Sequence, residues 1–111
     1  MRLFYLGFLP LVALLPLAAL AAEPIALTIE DGKFTPDHIT FPAGEKMPVM
    51  VTNHNKMPAE FESFDFKVEK IIVPGGTIKT FLGPIKPGTY SFFDDYHPET
   101  KGTAVVTGAR Q

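Results

Sequence analysis

With 10 lysines and arginines against 12 aspartates and glutamates in 111 residues, the chain has a formal net charge of −2, which argues against a nucleic-acid surface. It has no cysteine, so disulfide exchange and every thiolate metal site are excluded. A small exported domain without disulfides must be held by packing of its 10 phenylalanines, helped by a bound metal where one exists.

Met1-Arg2 supplies one positive charge, and Leu3 to Ala22 is an uncharged apolar run ending in Ala19-Leu20-Ala21-Ala22. Small residues at the last and third-last positions suit signal peptidase, which predicts a signal peptide over 1–22, cleaved after Ala21 or Ala22, and one domain over 23–111. Pro10 and Pro16 interrupt the run, and a retained anchor needs about 20 apolar residues. The expected location is the periplasm, with no membrane insertion after cleavage.

From Ile25 the pattern alternates: Ile25, Leu27 and Ile29 point one way and Ala26, Thr28 and Glu30 the other, the two-residue period of a half-buried strand. Asp31-Gly32 breaks it. Phe34, Ile39 and Phe41 form a second apolar set around Pro36, followed by a turn at Pro42-Ala43-Gly44. Val49 to Thr52 reads as a short buried strand and Asn53 to Pro58 as a polar loop. A strand returns through Phe61, and burying Phe61, Phe64 and Phe66 together requires a bulge or bend, because their parity changes. Val68 to Val73, Thr77 to Leu82, Tyr90 to Phe93 and Ala104 to Thr107 complete a series of short strands punctuated by Gly and Pro. No sustained helical period follows the leader. The predicted fold class is all-β, a Greek-key β-sandwich.

No nucleophile elbow, Gly-rich phosphate loop or Ser/His/Asp spacing supports hydrolase chemistry. What remains are oxygen and nitrogen ligands, which suit iron, manganese, zinc or copper(II), and the lack of sulfur ligands other than Met disfavours copper(I). They concentrate between Lys86 and Thr103, where an aromatic strand runs into an acidic loop carrying Asp94, Asp95, His97 and Glu99 before a closing strand begins near Gly102. A second acidic pair, Glu60 and Glu62, is the candidate to face that loop, the two sharing a strand face opposite Phe61.

The run Pro87-Gly88-Thr89-Tyr90-Ser91-Phe92, the acidic loop, His97 and Gly102 resemble the copper-loop half of the cupredoxin superfamily. Phe34, Pro36, Ile39, Pro42-Ala43-Gly44 and Asn53 are similar to its opening half. Within it, the strings Glu60-Phe61-Glu62-Ser63, Glu69-Lys70, Gly83-Pro84 and Asp95-x-His97-Pro98 resemble the cysteine-poor proteins of bacterial iron-uptake systems. Those include the cupredoxin domain of EfeO-type proteins and FtrB-type periplasmic ferroxidases. The resemblance implies a sandwich of the cupredoxin type, with Asp94 at the thiolate position, His97 at the loop-histidine position and Glu99-Thr100-Lys101 replacing the methionine segment. The first histidine falls at Ala59 or Glu60, and Glu60 alone has a ligand atom. The implied metal ligands are Glu60, Glu62, Asp94, Asp95 and His97, with Glu60, Asp94 and His97 as catalytic candidates. The implied metal is copper, iron or both, and the implied partners are an inner-membrane iron permease and other periplasmic uptake components.

Simpler assignments stand beside these. The acidic loop also reads as a solvated turn, Glu60 and Glu62 as a polar strand face, Glu69-Lys70 as a surface pair and His38 as surface. Met47 and Met50 read as core or core-edge filling, and Tyr90, Phe92 and Phe93 as packing, with Tyr96 placed to cover the site. His54 and Met57 read first as loop residues and second as a soft copper entry point. Three functions therefore remain open: a metal-dependent iron(II) oxidase, a carrier or chaperone without turnover, and a metal-free interaction module.

Overall fold

The computed structural model describes residues 22–108 together with Gly7 and Pro10, so the leader expected over 1–22 lies almost wholly outside the described residues. No helix among them is long and apolar enough to cross a membrane. The described chain is β throughout: β1 (Ile25–Glu30), β2 (Lys33–Thr35), β3 (His38–Pro42), β4 (Met47–Asn53), β5 (Ala59–Ser63), β6 (Val68–Ile72), β7 (Thr77–Leu82), β8 (Gly88–Asp94) and β9 (His97–Thr107). One sheet has the order β2-β1-β4-β7 and the other β3-β9-β8-β5-β6. Because the chain crosses repeatedly between sheets, β1 pairs with β4 and β3 with β9 in parallel, while the other pairings are antiparallel. The two-sheet, all-β architecture expected from the alternating pattern is what forms.

Local chemistry sets the corners. Asp31 and Gly32 take φ values of 51° and 75°, the left-handed pair that matches strand twist in a two-residue hairpin, and they join β1 to β2. Alternation then aims Leu27 and Ile29 of β1, Val49 and Val51 of β4 and Leu82 of β7 at Phe61, Phe92, Ala104 and Val106 of the facing sheet. Phe34 reaches across from β2, its ring 4.9 Å from Phe92 and 6.1 Å from Phe61 in edge contacts. Phe61 and Phe92 are fully buried, and each such ring contributes about 1.5–3 kcal/mol relative to exposure. Gly102 is required here because a Cβ at that position would run into the Phe92 ring and lie 2.9 Å from the Asp37 carbonyl.

Three expectations are corrected. Phe64 is not inside: it is 75% exposed in the turn after β5, its ring centroid 5.3 Å from that of Phe93. The parity change is absorbed by that turn, where Lys67 adopts a φ of 56°, and Phe66 packs against the core from beyond it. Asn53 belongs to β4, fully buried, rather than to a polar loop. The long acidic loop is absent, because β8 ends at Asp94 and β9 begins at His97, leaving a two-residue turn of Asp95 and Tyr96. The register passes from Phe93 opposite Lys101 to Asp94 opposite His97, so Pro98, Glu99 and Thr100 form a bulge on β9.

Candidate metal centre

The tight turn is built by Asp94. Its side chain is 1% exposed, and its Oδ1 accepts from the Glu60 amide at 2.9 Å and from the Tyr96 amide at 3.0 Å. The Tyr96 contact, two residues on, is the aspartate turn that makes such residues favoured at chain reversals. The Oδ2 lies 3.1 Å from His97 Nδ1. A further bond from the Asp95 amide to the Glu60 carbonyl, 2.9 Å, ties the turn to β5 from the other side. Both carboxylate oxygens of Asp94 are thus engaged by the protein itself.

That bracing brings Asp95 over β5. Glu60 and Glu62 alternate with the core residues Ala59, Phe61 and Ser63, so their carboxylates lie on the outer face of the five-stranded sheet. One ligand oxygen from each of Glu60, Glu62 and Asp95 lies within 4.8 Å of the others. Glu69 stands directly across from Glu62 on β6. Among the described residues no cation forms an ion pair with these acids; His97 with Asp94 is the one pair present.

The electrostatics follow from crowding. The Glu60 carboxyl is pushed above its usual range, first by loss of water and then by the charges of Glu69, Asp95 and Glu62. Glu62 is raised by loss of water and by Asp95 and Glu69. The Tyr96 phenol is raised by loss of water, then by the charge of Glu60 and its hydrogen-bonding approach to that carboxylate. A divalent cation among these oxygens would reverse the penalty, since opposite charge favours the ionised carboxylate.

The structure therefore divides the five residues that the sequence grouped. Glu60, Glu62 and Asp95 come together. Asp94 is turned inward, and His97 lines a separate cavity with Met57, Glu99 and Thr100. Ala59, the alternative position for a first histidine, is buried and carries no ligand atom. Glu69, which the sequence offers first as a surface pair with Lys70 and second as a site residue, and Tyr96, expected as a cover, both lie beside this group. Pairing β5 and β6 around the Phe64–Lys67 turn would have placed Glu69 beside Glu62, but that register depends on Phe64 lying outside.

The two-sheet, all-β sandwich is that of a cupredoxin-like domain. The Cupredoxin-like domain model matches residues 3–106, and the chain belongs to that family. It is 38% identical over 76 residues to the uncharacterized protein RP394 of Rickettsia prowazekii (strain Madrid E), a match covering 68% of this chain and 61% of that relative. Among solved structures it is similar to amicyanin from Paracoccus versutus (Thiobacillus versutus), at 22% identity and a TM-score of 0.59, covering 80% of this chain and 86% of that one. It is also similar to the purple cupredoxin from Nitrosopumilus maritimus, at 17% identity and a TM-score of 0.59, covering 75% and 99% of the two chains. At these identities the structural likeness shows the fold. A copper–thiolate centre does not fit the residues present, because there is no cysteine and Asp94 is engaged by two amides and an imidazole. A harder, oxygen-ligated cation fits the Glu60, Glu62 and Asp95 group.

Proposed function

We propose that this chain is an exported metal-binding protein of a ferrous-iron uptake system, taking iron(II) as cargo at Glu60, Glu62 and Asp95. The observation that carries the reading is the convergence of three carboxylates, without a compensating cation among the described residues, on a strand and turn locked together by Asp94. Carboxylate oxygens are hard donors that favour iron(III) over iron(II), so bound iron is easier to oxidise than the aqueous ion. With dioxygen as acceptor, four iron(II) ions lose four electrons and one dioxygen takes up four protons to give two waters. The iron(III) then passes to an inner-membrane permease.

The leader-like run over 1–22 supports export to the periplasm. The carrier reading uses the same ligands without turnover, and the rate of iron(II) loss in air separates them. Protein that accelerates oxidation above the buffer rate is an oxidase, and protein that binds one equivalent at the buffer rate is a carrier. Glu62→Gln should lower iron affinity by at least about tenfold, or about 1.4 kcal/mol. Unchanged binding in both Glu60→Gln and Glu62→Gln would remove this group as the site and leave the interaction-module reading.

A further inference from the structure

The two outer faces of the sandwich each carry a patch of one charge bordered by uncovered apolar side chains, and the patches have opposite sign. On the five-stranded sheet, Ile71 lies directly across from Glu60 on β6 and Phe93 across from Glu62 on β8. The carboxylate group is therefore bordered by apolar residues on both neighbouring strands. Phe64 sets its ring 5.3 Å from that of Phe93, and Lys101, across from Phe93 on β9, marks the limit of the patch. Phe64 is 75% exposed and Ile71 58%, and apolar side chains grouped in this way mark a contact face.

The four-stranded sheet presents the complement. Alternation along β4 and β7 turns Met50, Lys79 and Phe81 outward, with Lys79 across from Met50. Lys46 Nζ lies 4.6 Å and Lys79 Nζ 5.6 Å from the centre of the Phe81 ring, so one aromatic face gathers two ammonium groups. Phe81 and Met50 are themselves partly uncovered. A groove beside them is lined by both lysines, Phe81 and Pro48, with Glu23 as its one acid. Among the described residues no carboxylate lies within ion-pair distance of either lysine, just as no cation meets the carboxylate group.

We infer that the acidic face of one copy of this chain docks on the basic face of a second copy, the lysines of the second set against Glu62 and Glu69 of the first and the apolar side chains of the two faces covering each other. Both halves of the contact are present on this chain, and charge complementarity selects that pairing while like faces repel. In the metal-free protein the neighbour's lysines supply the positive charge that the carboxylate group lacks. Because the two faces lie on opposite sides of the sandwich, the contact is heterologous and does not close on itself, so copies stack. Exposed ion pairs contribute little each and are screened by salt, which makes the association weak and ionic-strength dependent. The contact stands whether or not the carboxylates also hold iron.

The test is sedimentation equilibrium of the purified protein in chelator. At low salt the weight-average mass should rise with concentration past the dimer value, and in about 0.5 M sodium chloride it should fall back toward the monomer. Glu69→Lys disables the acidic face, and the double variant Lys46→Gln with Lys79→Gln disables the basic one, all at exposed side chains. Each variant alone should associate at least about tenfold more weakly than the natural chain. Mixed in equal amounts, the two variants retain one intact face each, of opposite kind, and should form a dimer and nothing larger. A natural chain that stays monomeric up to about 1 mM, one that stops at a closed dimer, or a mixture that stays monomeric would overturn the proposal.

Discussion

Replacing Asp94 distinguishes a brace from a metal ligand. In Asp94→Ala, the buried Glu60 amide loses its partner, which costs about 1–3 kcal/mol as an unsatisfied buried donor. The half-buried Tyr96 amide, partly reached by water, adds about 1 kcal/mol. Loss of the charged contact to His97 and of the packed carboxyl brings the total to about 3–5 kcal/mol, a large share of the stability of a domain this size. Near the melting temperature, 3 kcal/mol corresponds to a fall of at least about 12 °C. Asp94→Asn keeps one oxygen for both amides and should cost only about 1–2 kcal/mol, the difference between charged and neutral acceptors. Urea unfolding of metal-free protein in chelator reads both values. If Asp94→Ala costs less than about 1 kcal/mol while iron binding disappears, Asp94 is a ligand and not a brace.

The raised carboxyls give a pH test. Because Glu60 and Glu62 titrate higher in the folded chain than unfolded, the native state holds more protons between the unfolded value near about 4.3 and the raised ones, so metal-free stability should rise as pH falls from neutral through that window. Glu60→Gln should flatten that slope in denaturant titrations across pH, and an equal slope would remove these groups as its source. Gly102→Ala should lower stability by about 1–3 kcal/mol through overpacking against Phe92, and an unchanged unfolding midpoint would show that the ring can yield. Phe61→Ala should cost about 3–5 kcal/mol and Phe64→Ala under about 1 kcal/mol; equal losses would put Phe64 in the core after all.

The strands were legible because period two is strict where one face is buried, as in Leu27 and Ile29, or Val49 and Val51. The positions of Glu60 and Glu62 followed from the same rule, since Phe61 between them had to be inside. What the pattern could not show was chain reversal inside an acidic stretch. Asp94 through Thr100 has the composition of a loop, and only the three contacts to the Asp94 side chain turn it into a hairpin with a bulge. Phe64 misled for the complementary reason: an aromatic in a turn is apolar in composition, yet it can stack on an outer-face ring such as Phe93.

The short hairpin has a chemical consequence. A long loop at the end of a sandwich could fold Asp94, Asp95 and His97 around one ion. A two-residue turn sends Asp95 to the outer sheet face and His97 toward the cavity, with buried Asp94 between them. The carboxylate that occupies the thiolate position of the resemblance thus becomes the support of the turn. Its Oδ1 holds the Glu60 and Tyr96 amides, and its Oδ2 lies against the His97 ring. Substitution of Asp94 should therefore weaken iron binding together with stability, by releasing the turn from β5, whereas Glu62→Gln should weaken iron binding alone. A loss of iron binding in Asp94→Asn with stability unchanged would instead make Asp94 a direct ligand.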